Sequence, residues 1–354
     1  MGYAAGSNTL IEYVARQGLL HFFPWRLFKA GDAGRLLDVA SDGVFALAVG
    51  SDSTALPFPA AEHRVYRRHA KEPWQQVDTG LTTGALEAAV WGNGLFVLGG
   101  GNGDLTDPFN ISQPLLMRFD SVHVGADPMG DFRLPCWGEV EGFDIDDVRV
   151  RVHALAWNGS VFCAAASDKV YRSVNDGLNW SLHAVPAGML PRAILARGAR
   201  FILFGEAGRI ATSDDDGQTW IERVSPVAVA LHGASQNGAV VVAVGEATGA
   251  GAAIVSSVDN GVTWVQCANP ENLALRGVAA LSSSRFLAAG DYFSPDRAYA
   301  LLGSPQADQW TRITIPFDLR AEQVRLLGKS VFVPGGSDDP FGAPHRIAWH
   351  DNFR

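Results

Sequence analysis

The chain has 354 residues, of which 47% are hydrophobic, 10% aromatic and 18% charged. It is too apolar and too aromatic for disorder, and no run of roughly 18 apolar residues offers a membrane span. With 28 Lys and Arg against 37 Asp and Glu, the formal charge is −9. With no basic stripe, that balance argues against nucleic acid as a partner. The length suggests two domains unless the fold is all-β, where one unit often takes this many residues.

Residues 1–20 carry Leu10, Val14 and Leu19 at a spacing that gives one apolar stripe on a helix, with Tyr13 beside it. A stripe so short is unstable alone, so this arm either frays or docks on another subunit. It has no basic head or continuous apolar run, so no secretory leader is expected and synthesis belongs to a cytoplasm. Cys136, Cys163 and Cys267 are odd in number and widely spaced, which gives no disulfide framework and no zinc site; Cys163 reads as a small core residue.

From residue 35 onward one pattern recurs: apolar residues, a turn, then an apolar run that usually ends in Gly. Copies centre on Phe45, Phe96, Phe162, Phe201, Val241, Phe286 and Phe332. Four have Asp-Gly or Asn-Gly at the turn (Asp42-Gly43, Asn93-Gly94, Asn158-Gly159, Asn237-Gly238), the chemistry of a type I′ hairpin. The pattern predicts seven inner hairpins.

A second motif follows three of these copies: Ser173 to Trp180, Ser213 to Trp220 and Ser257 to Trp264, at intervals of 40 and 44 residues. The shared form is S-x-[DN]-x-G-x-[TN]-W. Asn175, Asp215 and Asp259 are placed to accept backbone amides, and Gly177, Gly217 and Gly261 supply positive φ. Trp180, Trp220 and Trp264 open the next strand with a ring to bury. Trp74 and Trp310 fit two further outer hairpins, and Trp137 an irregular sixth.

The motif resembles the Asp-box, or BNR repeat, of sialidases and related β-propellers. That resemblance implies an all-β, seven-bladed propeller with structural boxes that do no chemistry. Residues 21–354 form the ring, and 21–30 (with Phe23 to Phe28 as a strand) complete the last blade beside 322–354. The terminal strands thereby close the ring and remove a free edge.

The connections within blades three and four are short, whereas 51–62, 99–113, 291–297 and 335–344 are long and crown one sector of one face. They offer Phe58, Phe109, Tyr292 and Phe341 among Asp104, Asp107, Asp338 and Asp339, joined by Asp144, Asp146 and Asp147. Exposed aromatics among acids suit a protein or a glycan; the alternative is that these rings tuck under their own loops.

Phe132-Arg133-Leu134-Pro135 resembles the sialidase element whose Arg grips a substrate carboxylate, with Arg133 as the carried-over residue. The remaining sialidase set is not matched: no motif fixes a Glu beside Tyr292 or Tyr299, and sialidases have six blades. No metal or cofactor motif is present, so none of either is expected. The leading expectation is a non-enzymatic structural or adhesive subunit, resembling bacteriophage tail propellers (tail tip, nozzle or host-surface contact), located in the virion. A glycan-binding protein or sialidase-like hydrolase using the long-loop face is the first alternative. A photosystem-type assembly factor is the second.

Overall fold

The computed structural model describes residues 25–33, 35–51, 63–69, 72–77, 85–102, 113–120, 151–249, 251–269, 271–281, 285–290, 298–315, 320–327, 330–336 and 344–350. Strand β1 (Trp25–Ala33) is the first among the described residues. Four strands then form an antiparallel sheet: β2 (Arg35–Ser41), β3 (Phe45–Ser51), β4 (His63–His69) and β5 (Gln75–Val77). The next sheet has three, β6 (Ala85–Gly92), β7 (Leu95–Asn102) and β8 (Gln113–Asp120).

Four regular sheets follow. They are β9 (Val152–Trp157), β10 (Phe162–Ala166), β11 (Lys169–Ser173) and β12 (Ser181–Ala184); then β13 (Pro191–Arg197), β14 (Arg200–Gly205), β15 (Ile210–Ser213) and β16 (Ile221–Arg223). After these come β17 (Leu231–Asn237), β18 (Val240–Ala247), β19 (Ala252–Ser257) and β20 (Val265–Gln266); then β21 (Leu275–Ala280), β22 (Phe286–Gly290), β23 (Ala298–Gly303) and β24 (Trp310–Ile315). The last sheet holds β25 (Arg320–Ala321), β26 (Arg325–Leu327), β27 (Ser330–Gly336) and β28 (Pro344–His350), with β1 paired to β28.

The expected seven-bladed ring is corrected to six full blades. Among the described residues six sheets carry four strands or more, and β6–β8 carries three. The stretch 121–150, expected to supply its fourth strand, lies outside the described residues. Trp137, expected to begin that strand, lies outside the described residues. The last sheet is not the simple four-stranded blade expected from joining the two ends of the chain. Its inner strand is broken into β25 and β26, both paired with β27, which makes five strands.

The hydrophobic patterning explains the packing. The second strand of each sheet is the most apolar, and each is buried on both faces between neighbouring sheets. Phe96, Phe162, Phe201 and Phe286, four of the seven repeat centres, are at most 1% exposed. Each such ring contributes on the order of 1.5–3 kcal/mol by burial. The apolar clusters lie between successive sheets: Leu47 and Val49 meet Leu86 and Phe96, and Ile202 and Phe204 meet Val241 and Trp264. One cluster joins the first four-stranded sheet to the last sheet, with Leu36, Tyr66 and Trp74 against Phe332 and Ile347.

The three box turns show why their residue types recur. The Ser173, Ser213 and Ser257 hydroxyls accept the amides of Gly177, Gly217 and Gly261 at 2.8–2.9 Å. They donate to the Oδ1 atoms of Asn175, Asp215 and Asp259. Those oxygens also accept the amides of Asn179, Thr219 and Thr263, each at 2.9 Å. Trp180 and Trp264 donate Nε1 to the carbonyls of Gly177 and Gly261 at 3.0 Å, whereas the buried Nε1 of Trp220 has no partner among the described residues.

The residue just before each Gly has a role that the motif conceals. Asp176, Asp216 and Asn260 sit at φ 60°, 58° and 63° and accept side chains of the preceding sheet. Asn93 donates to Asp176 at 2.7 Å, Asn158 to Asp216 at 2.6 Å, and Arg197 to Asn260 at 2.5 Å. Each box therefore ties its blade to the one before it. A shortened fourth turn runs from Ser304 to Trp310, with Ala307 at φ 60° in place of Gly and its carbonyl accepting Trp310 Nε1 at 2.9 Å.

Candidate functional site

Near the start of each inner strand the ladder slips by one residue. The β2–β3 pairing steps from Leu36–Gly50 to Asp38–Val49, and β6–β7 from Leu86–Gly100 to Ala88–Gly99. The same slip occurs around His153, Arg192, His232 and Arg276 in the next four sheets. In the last sheet, Ala321 pairs with Gly335 and Arg325 with Phe332, again leaving one residue too many on the inner side. A bulge of this kind re-aims a side chain out of the strand's alternation.

Where the apolar run ends in Gly, that Gly admits the bulge; in β9–β10 its place is taken by Ala166, paired with Val152. A Cβ on Gly100 would lie 1.8 Å from the Ala85 carbonyl oxygen, and one on Gly245 would lie 1.9 Å from that of Ala230. The bulged residues Leu37, Glu87, His153, Arg192, His232 and Arg276 line one cavity of about 170 Å³, together with Asp38, Glu322, Gln323 and Arg325. All seven inner segments thus contribute to one polar mouth in the middle of the molecule.

The charges there are organised in pairs. Asp38, 3% exposed, takes Arg325 through two bonds of 2.8 and 2.9 Å and also accepts the amides of Val39 and Ala89. Glu87 accepts Arg151 at 2.9 Å and His153 Nδ1 at 2.7 Å. Burial pushes the Glu87 carboxyl up, but these two partners outweigh it and hold it below the usual range. Glu322 takes Arg35 at 3.3 Å, and Arg192 donates Nε to Glu206 at 2.7 Å.

His232 Nε2 lies 2.8 Å from Glu246 and 3.0 Å from Arg276 Nη1. Burial, then the Arg276 charge, lowers its pKa and favours the neutral ring, with Glu246 opposing. No cluster of three or more His, Cys, Asp or Glu able to hold a metal occurs among the described residues. No helix among them is long and apolar enough to cross a membrane.

Sequence reasoning missed this site. Its signal was a charged or polar residue set into an apolar inner strand at a nearly constant distance before the Gly, as in Leu86-Glu87-Ala88 and Leu275-Arg276-Gly277. The twelve box residues are all described and lie at the outer hairpins rather than at the mouth. The candidate interaction residues Phe58, Phe109, Tyr292, Phe341, Asp107 and Asp339 lie outside the described residues, as do Arg133 and residues 1–20. The strand ends that flank the long connections, at Ser51, Asn102, Gly290 and Gly336, are at the same end of their sheets as the bulges.

No family model and no curated protein matches the chain. Solved structures do. The WD40 β-propeller domain of Doa1 is similar over 92% of this chain and 96% of its own, at TM-score 0.63 and 11% identity. A chain of the mitotic checkpoint complex is similar over 99% and 98%, at TM-score 0.62 and 13% identity. The fold is a β-propeller. The WD40 repeats of RRP9 give the same result, with TM-score 0.62, 8% identity and coverage of 92% and 97%. At such identities the propeller likeness extends to the fold alone. The polar mouth is then the end of the propeller's central channel, ringed by its innermost strands.

Proposed function

We propose that this propeller is a non-catalytic, protein-binding subunit of a larger assembly. One observation carries the reading: each carboxylate lining the channel mouth (Asp38, Glu87 and Glu322) is already held by an arginine. A carboxylate committed to a guanidinium is a poor general base or nucleophile, since its basicity is what the pair consumes. The cavity of about 170 Å³ is also smaller than the roughly 300–1,000 Å³ that encloses a cofactor or drug-sized ligand. What remains is a ring with a polar mouth and the strand ends that flank several long connections at the same end, an arrangement suited to docking.

The sequence of the box turns resembles that of Asp-box propellers, and on that resemblance a bacteriophage tail component is the assembly to test first, with virion as its location. Sedimentation of the native protein from its source, followed by antibody, tests the reading. Co-migration with megadalton particles is expected. A chain running free at 37.8 kDa would overturn the assembly role.

A further inference from the structure

At the channel mouth the acceptors of Asp38 and Glu87 are spent, and Glu322 is paired with Arg35. Asp38 spends both oxygens on Arg325 and two backbone amides, and Glu87 spends both on Arg151 and His153. Donors, in contrast, are in surplus. Arg192 commits only Nε, to Glu206, so its Nη1 and Nη2 meet no acceptor among the described residues. Arg325 commits Nε and Nη2 to Asp38 and keeps Nη1. Gln323 turns its Oε1 to the Val324 amide at 3.0 Å and keeps its amide nitrogen.

A polar cavity with spent acceptors and unspent donors favours an acceptor-rich guest. Two free terminal nitrogens of one guanidinium form the fork that a carboxylate matches with two parallel bonds. The Arg192 side chain is 39% exposed, so the fork is reachable from water. About 170 Å³ is room for roughly six waters, which is the scale of one side-chain end. The chain's charge of −9 repels free anions at long range. A carboxylate delivered on a docked protein surface escapes that penalty through its other contacts.

Resting on the protein-binding reading above, we propose that the channel mouth is a carboxylate pocket. Arg192 grips an Asp or Glu side chain presented by a partner protein, and Gln323 and Arg325 add donors from the same cavity.

Calorimetry on the full chain tests this with three probes: a blocked pentapeptide bearing one central glutamate, its glutamine counterpart, and sodium acetate. The glutamate peptide should bind saturably, with Kd on the order of 1 mM or tighter, and the glutamine peptide about tenfold or more weaker. Arg192→Gln should lose the same factor and Arg192→Lys part of it. Arg223→Gln, which removes the same charge from β16, should change nothing. Equal binding of the two peptides, or an unaffected Arg192→Gln, overturns the proposal. Acetate binding as tightly as the glutamate peptide also overturns it, because the pocket is then a small-anion site. An Arg192→Gln chain that still sediments with particles but binds the glutamate peptide normally would sink the pocket and leave the assembly role standing.

Discussion

Asp215 and Asp259 each gather four hydrogen bonds within a single turn. At Asp215 burial pushes the carboxyl up, but bonds from the Thr219 hydroxyl and amide, Ser213 and Gln218 outweigh it and bring the pKa to about 2. At Asp259 the Thr263 hydroxyl leads, and the result is again about 2. An unfolded Asp titrates near ~3.9, so the folded value is the lower one. The stabilisation is therefore complete above about pH 4 and is lost as the pH falls towards 2. Asp259→Asn, which copies the neutral residue already present at Asn175, should lower the urea midpoint at pH 7. The gap to the parent chain should close as the pH falls from about 4 to about 2; a gap that stays constant would show that charge plays no part. The box Ser, Asp and Gly were legible because each acts inside its own turn. Asp176, Asp216 and Asn260 were not, because each has its partner on another sheet. Ala307 was hidden because it holds a left-handed φ that sequence reasoning reserves for Gly.

At the scale of the strand, the repeating unit is an inner hairpin with a bulge, set opposite Gly50, Gly100, Gly205, Gly245 and Gly290 in five sheets and opposite Ala166 in β9–β10. Gly245 pairs with Leu231 just where β17 slips by one residue. A Cβ there would be 1.9 Å from the Ala230 carbonyl oxygen, and a backbone atom cannot swing aside as a side-chain tip can. Gly245→Ala should destabilise the chain by about 1–3 kcal/mol, read as a lower urea midpoint with unchanged slope. Gly238→Ala is the contrasting case. Its Cβ would meet nothing within 4 Å, so only the strain of φ 55° is felt, and the loss should be the smaller of the two. Equal losses would show that backbone conformation, not the bulge contact, sets the requirement for Gly. The apolar run ending in Gly was legible as a pattern. Its meaning was not, since a register slip is a relation between two strands and no single strand displays it. The same limit hid the channel mouth, whose lining residues are far apart in sequence and look like isolated charges in otherwise apolar strands.

For the whole molecule, the decisive contacts are those between the first four-stranded sheet and the last sheet. Arg325 reaches Asp38, and Arg35 reaches Glu322, each across 287 positions of sequence. Around them Leu36, Val39 and Trp74 pack on Phe332 and Ile347, while Ala279, Leu287 and Leu302 pack on Val324, Val331 and Val333 from the other side. The last sheet is thus covered on both faces. In a linear solenoid the loss of a terminal repeat removes one interface and leaves the remainder folded. Here, removing residues 320–354 would open two interfaces at once. It would also strand Asp38 as a buried carboxylate without its guanidinium, a defect that alone costs about 3–5 kcal/mol. That is comparable with the roughly 5–15 kcal/mol that separates a typical folded domain from its unfolded state. The 1–319 chain should therefore show no cooperative urea transition by near-ultraviolet circular dichroism. Adding Asp38→Asn to it should not restore one, because the uncovered apolar faces remain. A sharp transition in the truncated chain would mean that the sheets are stabilised one by one, as in a solenoid. The contacts between the first and last sheets would then fix the shape of the molecule without being needed for folding.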